Sequence, residues 1–359
     1  MEHHSIERLL KLGAARLVSL DGAPVYILKA QPTPSDVHVN ATLTNISIAF
    51  MQSPNAFVAD RVFPTVPVAK QSDLYRTFDR GFFNRNEMKK RAPGTETAGI
   101  GYETDTASYM CDVWGIHHDI DDQVRANADS VISVDRNATN LVTHQALLTK
   151  EINWTSKYFA TSIWTNNRNG VASSPVAGTS VLQWNDANST PIEDVRDAKR
   201  AIMESTGFEP NKLVLGRPVY DKLSDHPDIV DRIKYSGGVG NNNPAIVNRV
   251  TMAALFEVEE ILVMNSIQNT AQEGESNSHS FIGGKHALLT YAAPAPGLEV
   301  PSGGYTFSWT GYLGASDMGT RIMRFRMNHL KADRVEIEAA FDQKLIAADL
   351  GYFWNGIVA

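Results

Sequence analysis

The residues best suited to metal chemistry form the run HHDIDD, which contains His117, His118, Asp119, Asp121 and Asp122. Imidazole and carboxylate groups are suitable ligands for a divalent ion. Adjacent histidines on a strand point to opposite faces, however, so His117 and His118 cannot easily bind the same ion. No second group of candidate ligands at a metal-binding spacing supports them. The sequence therefore favours no metal site and places the acids at the polar start of a long helix.

Phosphate-binding and nucleophilic chemistry are each suggested by one further feature. The run SGGVGNNNPA (236–245) is rich in glycine, but it lacks both the Lys-Ser/Thr pair of a Walker loop and the G-x-G-x-x-G of a dinucleotide fold. We interpret it as a flexible polar loop. Cys111 lies in a strand-like segment without activating neighbours, so a structural thiol is expected. Because the pair Glu259 and Glu260 also has no convergent partner, the sequence predicts no catalytic site, no cofactor and no enzyme.

The composition limits the class of protein and its partners. With 359 residues, 43% hydrophobic and 20% charged, the chain is an ordinary globular protein with room for two modest domains or one large irregular one. Its net charge of −7 disfavours tight sequence-specific binding of nucleic acid, which normally requires a basic face. No run approaches the ~18–20 apolar residues of a membrane span, and we expect no secretory signal. The single cysteine excludes an internal disulfide and fits a reducing compartment.

The strongest helical pattern runs from about Asn137 to Trp164. Its apolar residues recur at steps of seven, four, seven and four on one helical face: Leu141, Leu148, Ile152, Phe159 and Ile163. Such a helix would extend ~40 Å, which is typical of a strut rather than of a piece of a small core. The alternative is a helix that breaks near Asn153.

Residues from 191 to about 330 combine helix and strand signals. A helix is predicted to follow a cap at Thr190, with Pro191 in its first turn, and to end before Gly207. The strand KLVLG (212–216) comes next, and further helices and strands continue to GGYTFSW (303–309). These signals predict an α/β or α+β arrangement, and the C-terminal tail alternates like strands.

Residues 76–109 form a long polar excursion without a helical apolar stripe. Its first half, Arg76–Arg91, has six basic and two acidic side chains, whereas Glu96–Asp112 has four acids and no base. Both flanks look like strands, so the simplest geometry is a two-stranded ribbon that sets its basic arm beside its acidic arm. An isolated ribbon is only marginally stable in water, and we therefore expect it to need another surface. A loop of this length is usually functional.

Several ordered segments carry a resemblance to a known family. They are NAFVADRVFPTVPVAKQSDLYRTFDRGFF, RAPGTETAGIGYETDTASYMCD, HDIDDQVRANADS, LVLGRPVYDKLSDHPDIVDRIKYS, GKHALLTYAAPAPGLEVPSGGYTFSW and the Trp154–Phe159 region. Together these segments resemble the major capsid proteins of tailed bacteriophages over residues ~40–310. The resemblance implies an α+β tailed-phage major capsid protein fold.

The resemblance also implies a division of the chain into the parts of that fold. It places an N-terminal arm at 1–65 and a long β-hairpin extended loop at 66–118. A peripheral domain would comprise 119–207 and 326–359, with a long spine helix at ~136–165. An α/β axial domain would comprise 208–325.

The function implied is that of a shell subunit that binds copies of itself. Hexamers and pentamers would tile an icosahedral phage head around double-stranded DNA without sequence-specific DNA binding and without a membrane. The location would be the virion capsid, after assembly in the host cytoplasm. Scaffolding, portal and decoration proteins are allowed as further partners. The alternatives are a bacterial nanocompartment (encapsulin-like) shell and, less favoured, a metal-dependent enzyme that uses His117, His118 and Asp121.

Two groups of residues are then candidates for contacts between subunits. The core that the extended hairpin lacks would be supplied by a neighbouring copy, and the polar axial loop would meet its copies around a five- or sixfold axis. The candidate hairpin contacts are Arg76, Arg80, Phe82, Phe83, Arg85, Lys89, Lys90, Arg91, Glu96, Glu103 and Asp105. The candidate axial-loop contacts are Gly237, Gly238, Gly240, Asn241 and Asn242.

Overall fold

The computed structural model describes residues 15–20, 23–28, 52–78, 80–128, 133–236, 247–297, 300–314 and 319–359. These residues belong to two compact units. The smaller unit contains the described part of 1–51 together with 116–143 and 322–337. The larger unit contains 52–115, 144–321 and 338–359. The amphipathic run IERLLKL near the start lies outside the described residues. The domain boundaries that the resemblance implies stay a prediction.

The described chain contains both strands and helices. The strands are β1 (Ala15–Leu20), β2 (Ala23–Leu28), β3 (Thr65–Val68), β4 (Ser72–Phe78), β5 (Thr104–Met110), β6 (Asp112–Asp121), β7 (Asn166–Val171), β8 (Ser180–Leu182), β9 (Lys212–Gly216), β10 (Glu260–Met264), β11 (Ile267–Asn269), β12 (His279–Phe281), β13 (Ala287–Thr290), β14 (Gly304–Trp309), β15 (Thr320–Met327), β16 (Ala332–Leu345) and β17 (Gly351–Asn355). The α-helices are α1 (Ala59–Val62), α2 (Arg80–Phe83), α3 (Asp122–Asn127), α4 (Val134–Tyr158), α5 (Pro191–Thr206), α6 (Arg217–Ser224), α7 (Pro227–Ser236), α8 (Arg249–Phe256) and α9 (Thr310–Leu313).

A mixed six-stranded sheet forms the centre of the larger unit, in the order β10-β9-β13-β17-β7-β8. Strand β13 runs antiparallel to both β9 and β17, and the other neighbours are parallel. Side chains alternate between two apolar cores: Leu213 and Leu215 lie in one, and Val214 lies in the other. The first core is closed by helices α5, α6 and α8, and the second by the long helix α4. Burial on both faces explains why these strands are apolar throughout rather than alternating.

A second sheet has the order β15-β16-β14-β3, and β6 also pairs with β16. Within it, β3 runs parallel to β14 and pairs Thr65–Val68 with Thr306–Trp309. The short strand β3 comes directly before the excursion, so its pairing fixes where the excursion begins on this sheet.

Helix α5 shows how local sequence signals set an element. Pro191 occupies its first turn, and Gly207 adopts a left-handed conformation (φ 77°) from which its N–H donates to the Met203 carbonyl at 2.8 Å. Glycine reaches this conformation without a steric cost, so the helix ends there. Thr190 stands at the N-cap position, but its side chain makes no capping hydrogen bond, contrary to the prediction.

The long helix is α4, and it is unbroken at Asn153. Its 25 residues extend about 37 Å. It ends six residues before the predicted boundary because the chain turns back there, and the buried Trp164 indole donates to the Tyr158 carbonyl at 2.8 Å. A side chain thus satisfies one of the carbonyls that a helix C-terminus leaves without a partner.

The apolar stripe predicted for the long helix is confirmed at Leu148, Phe159 and Ile163, which belong to or pack on the second core, and wrong at two positions. Leu141 and Ile152 are exposed, whereas Glu151 and Trp154 are fully buried. The buried residues of α4 thus combine the aliphatic Ala138 and Val142 with a carboxylate and aromatic rings, which the spacing of leucine and isoleucine does not reveal.

We predict that Gly351→Ala destabilises the larger unit. A Cβ at this position would lie 2.0 Å from Cε3 of Trp164, and the ring is buried and cannot move aside. Overpacking of this kind lowers the free energy of unfolding by about 1–3 kcal/mol. The matched control is Gly101→Ala, whose Cβ would have no atom within 4 Å. Denaturant unfolding of both variants measures the difference, and equal stability would contradict the packing described.

Candidate functional site

The excursion forms an antiparallel ribbon at its root. Strands β4 and β5 pair from Ser72 opposite Met110 to Phe78 opposite Thr104. Beyond the pair lie only the short helix α2 and irregular chain. We call residues 72–110 the extended hairpin.

Aromatic side chains anchor one face of the extended hairpin on another part of the same chain. Tyr109 stacks on Phe307 of β14 with ring centroids 4.5 Å apart, and Tyr75 lies 5.6 Å from the same ring. Next to them, the Trp309 indole donates to the Ala69 carbonyl at 3.0 Å. These contacts hold the root rigidly while leaving the opposite face of the ribbon uncovered.

Cys111 belongs to this anchored root. Its side chain is fully buried, and its Sγ lies 3.6 Å from the Phe307 carbonyl oxygen. Burial, reinforced by Asp342, raises the pKa of the thiol to about 11. The thiol is therefore protonated at neutral pH, as the structural interpretation of this residue requires.

Beyond the root the chain buries almost nothing. Every residue from Phe83 to Thr106 is exposed except Glu87, which is half-buried. Phe83 and Tyr102 lie with their rings 5.8 Å apart, and Phe78 lies about 6 Å from both. This small aromatic cluster connects the two arms, but Phe83 and Tyr102 themselves stay exposed.

Large apolar side chains are exposed along the extended hairpin. Met88 is 92% exposed and Ile100 is 72% exposed. Leu74 and Met110 are also exposed, and the register places both on the uncovered face of the ribbon. Exposed apolar groups concentrated on one feature mark an interaction surface. The sequence analysis did not single out these four residues, although the alternation along β4 and β5 could have indicated Leu74 and Met110.

The predicted pairing of the basic arm with the acidic arm is not found within the described chain. Arg76 stands opposite Thr106, and Asp105 stands opposite Thr77. The ion pairs in the described part of the hairpin region instead join near neighbours, such as Arg85 with Glu87 at 3.7 Å.

The remaining predicted contact residues divide into described and undescribed groups. Lys89, Lys90, Arg91, Glu96 and Glu103 are exposed. The side chains of Arg80 and Phe82 lie outside the described part of the structure, as do all the axial-loop candidates: Gly237, Gly238, Gly240, Asn241 and Asn242.

The HHDIDD run is engaged in the smaller unit by arginines. Arg334 binds Asp119 through two hydrogen bonds of 2.6 and 2.7 Å, and Arg326 binds Asp122. These guanidinium groups hold the pKa of each carboxyl below its usual range.

Asp121, in the same HHDIDD run, caps a helix instead of binding an arginine. Its carboxylate accepts a hydrogen bond from the Gln123 amide at 2.7 Å and caps helix α3, which precedes the long helix. Over the described residues, no cluster of three or more histidine, cysteine or acidic side chains could hold a metal ion.

Asp333 is the centre of the charged network in the smaller unit. It is paired with Arg125, Arg324 and Arg326. The hydrogen bonds from Arg125 and Arg324 lower its pKa to about 2. Asp119, Asp122 and Asp333 are therefore each compensated by arginines of the same unit.

Comparisons with known sequences agree on one kind of protein. The family model for phage major capsid protein E matches residues 167–300. The major capsid protein of Pseudomonas phage JBD67 is 28% identical over 329 residues, which cover 89% of this chain and 97% of the relative. That of Burkholderia phage BcepMu is 22% identical over 324 residues, which cover 89% of this chain and 96% of the relative.

Solved structures agree on the fold. A phage-related protein from Bordetella bronchiseptica RB50 superimposes with a TM-score of 0.63 and 24% identity, covering 89% of this chain and 97% of the other. The capsid of cyanophage P-SCSP1u gives a TM-score of 0.56 and 13% identity, covering 89% and 93%. The SrpI encapsulin complex from Synechococcus elongatus PCC 7942 gives 0.54 and 10%, covering 89% and 92%.

The fold is therefore that of phage capsid subunits, and the predicted α+β capsid fold is confirmed. The family model and the two relatives support a phage major capsid protein family, so the resemblance first seen in the sequence is also confirmed. Such relatives indicate a structural protein. No helix in the described residues is long and apolar enough to cross a membrane.

We predict that Cys111 resists thiol reagents in the folded chain. Its burial removes access, and its raised pKa leaves few thiolates to react at pH 8. An absorbance assay with a disulfide reagent should show less than one-tenth of the labelling rate measured in denaturant. Rapid labelling of the native chain would contradict the anchored root.

Proposed function

We propose that this chain self-assembles through hexamers and pentamers into an icosahedral phage head that encloses double-stranded DNA. The observation that carries the proposal is the exposure of the extended hairpin from Phe83 to Thr106. A segment that buries so little cannot offset the conformational entropy lost on ordering it. We infer that a second copy of the chain covers it in the shell.

The apolar side chains supply the driving force for this contact. Burying a methionine or isoleucine side chain stabilises an interface by roughly 1.5–3 kcal/mol. Met88 and Ile100 therefore offer several kcal/mol per subunit before the cost of ordering the loop. A shell repeats each contact many times, so modest single contacts suffice for a stable particle.

The charged side chains supply specificity. Lys89, Lys90 and Arg91 on one arm are complementary in charge to Glu96, Glu103 and Asp105 on the other. Of these six residues only Asp105 lies within the paired strands, where it stands opposite Thr77. We propose that they pair between copies, where opposite charges select the partner and its orientation more than they add affinity.

Further parts of the proposal rest on the resemblance. The axial-loop residues 236–245 would gather around five- and sixfold axes, and scaffolding, portal and decoration proteins would contact the shell. The location would be the virion, after assembly in the host cytoplasm. The negative net charge of −7 suits a container that holds DNA without sequence-specific binding.

A nanocompartment shell is the second candidate, because the encapsulin fold also matches this chain. The content of purified particles distinguishes the two. A particle filled with an enzyme cargo would favour the nanocompartment, whereas packaged DNA would favour the phage head.

We predict that the double variant Met88→Glu/Ile100→Glu folds but assembles poorly. Both side chains are exposed in the single chain, so the free energy of unfolding should change by less than about 0.5 kcal/mol. Loss of their burial between copies should reduce the fraction of protein in particles at least tenfold, as measured by sedimentation and electron microscopy.

The control for this variant is Val176→Glu, because Val176 is 62% exposed and lies far along the chain from the hairpin. Its particles should form as in the unmodified chain. Normal assembly of the double variant would contradict the proposed role of the extended hairpin.

We predict that charge reversal on either arm alone impairs assembly and that mixing the two reversed chains restores it. One chain carries Lys89→Glu, Lys90→Glu and Arg91→Glu, and the other carries Glu96→Lys, Glu103→Lys and Asp105→Lys. Each alone places like charges together, whereas the mixture recreates opposite charges between copies. Light scattering at low salt measures the rate.

The matched control is Arg200→Glu, which reverses a charge of the exposed surface pair Arg200–Asp197. If both reversed chains assemble alone at the normal rate, the arms do not select the partner.

A further inference from the structure

A buried carboxylate on the long helix holds the chain just before the extended hairpin. Glu151 is fully buried near the middle of α4. It accepts hydrogen bonds from the Val58 amide at 3.0 Å and from the Ala59 amide at 2.8 Å. The Ser266 hydroxyl donates to its other oxygen at 3.1 Å. One side chain thus fastens two segments that are distant in the sequence.

Helix α1, which follows directly from the Val58 and Ala59 amides, is held at both of its ends. Val58 and Ala59 begin helix α1, and Lys212 donates to the Val62 carbonyl at 3.0 Å where that helix ends. A carboxylate at the N-terminus and an ammonium group at the C-terminus each suit the helix dipole.

A neighbouring ion pair fastens the middle of the turn. The almost fully buried Lys150 lies 3.1 Å from an oxygen of Asp60. Consecutive residues of the long helix therefore bind consecutive residues of α1, so this turn moves away from α4 only if both contacts break.

The hydrogen bonds around Glu151 can be satisfied in either protonation state. As a carboxylate, it accepts from both amides and from the hydroxyl. As a carboxylic acid, it still accepts from both amides through Oε2 and can donate to Ser266, because a hydroxyl both donates and accepts. Burial nevertheless favours the neutral form and raises the pKa of Glu151 to about 7.

We propose that Glu151 is a proton-operated latch that controls how tightly residues 58–62 are held against the long helix. In the closed latch the side chain is buried and retains its proton. When the turn lifts away, water reaches the carboxyl and the proton is released. Protonation therefore favours the closed latch, and deprotonation favours its opening.

The direction of the pH effect follows from the linkage between proton binding and opening. The closed state has the raised pKa of about 7, and an open, solvated state has the ordinary value of 4.5. The closed state is therefore most stable below pH 4.5. Its stability relative to the open state falls as the pH rises toward 7 and becomes constant above that. Those two pKa values give a roughly fortyfold rise in the opening equilibrium between pH 5 and pH 7.

Several other charged or titratable groups lie near the latch. Asp60 raises the pKa of Glu151, and Lys150 balances Asp60. Arg61 and Glu260 pair at the far end of the turn, beside Lys212. On the long helix itself, His144 packs edge-on against Phe57, and burial lowers its pKa, so it is neutral at pH 7. On β16, Asp342 pairs with Lys157 at 2.8 Å.

Hydrogen exchange of the full-length chain tests the latch. Protection of the Val58 and Ala59 amides, corrected for intrinsic exchange, should fall about fortyfold from pH 5 to pH 7 and then level off. Mass spectrometry with fragmentation that resolves single amides provides the measurement. The amides of helix α5 serve as the internal reference and should not follow this profile.

Glu151→Gln is the decisive variant. A glutamine can accept from both amides and donate to Ser266, so it mimics the protonated state and cannot titrate. Its protection should stay at the low-pH level of the unmodified chain at every pH. If the unmodified chain shows no fall, or if the glutamine variant shows the same fall, the proposal is wrong.

A second variant serves if Glu151→Gln does not fold. Ser266→Ala removes one donor to the carboxylate and so raises the pKa of Glu151 further. The plateau of the exchange profile should move to higher pH. An unchanged profile would overturn the assignment of the titration to Glu151.

Discussion

The extended hairpin combines a packed root with an outer part that its own chain leaves exposed, and the proposed function depends on this constraint. Its root is rigid because Tyr109 and Tyr75 pack on Phe307 of β14. Its outer part, from Phe83 to Thr106, has no core and exposes Met88 and Ile100. A firm root and an uncovered outer part together let one chain reach another without losing its own packing.

Charged side chains have partners within the smaller unit but lack cross-strand partners in the described part of the extended hairpin. In the smaller unit, arginines pair with Asp119, Asp122 and Asp333, so these charges are compensated within the chain. In the extended hairpin, the basic and acidic arms are not matched in register. Where it is described, the extended hairpin therefore carries charges without cross-strand partners in the same segment that exposes large apolar side chains. This coincidence distinguishes an interaction surface from an ordinary solvated loop.

The sequence was informative wherever backbone chemistry alone decides the structure. Pro191 and Gly207 gave the bounds of α5, and the apolar run Lys212–Gly216 is strand β9. The sequence also predicted the long helix. Its C-terminal end depends on the hydrogen bond from the Trp164 indole, and its buried face includes Glu151; both depend on tertiary contacts rather than on local sequence. The charge pattern indicated the candidate site, but the pairing of its arms failed because register is set by strand contacts rather than by composition. Ring contacts such as Phe83 with Tyr102 have no signature in the sequence.

The buried Glu151 and the extended hairpin are connected by a short path. The chain leaves the Glu151 contacts at Ala59, completes α1, pairs as β3 with β14, and enters β4 at Ser72. Because β14 also carries Phe307, the same strand receives both β3 and the aromatic root. A change in the hold on α1 therefore acts on one end of β3, whose other end leads directly into the extended hairpin. Residues 58–72 are thus the physical link through which a buried proton on the long helix can influence the surface that we propose binds another copy of the chain.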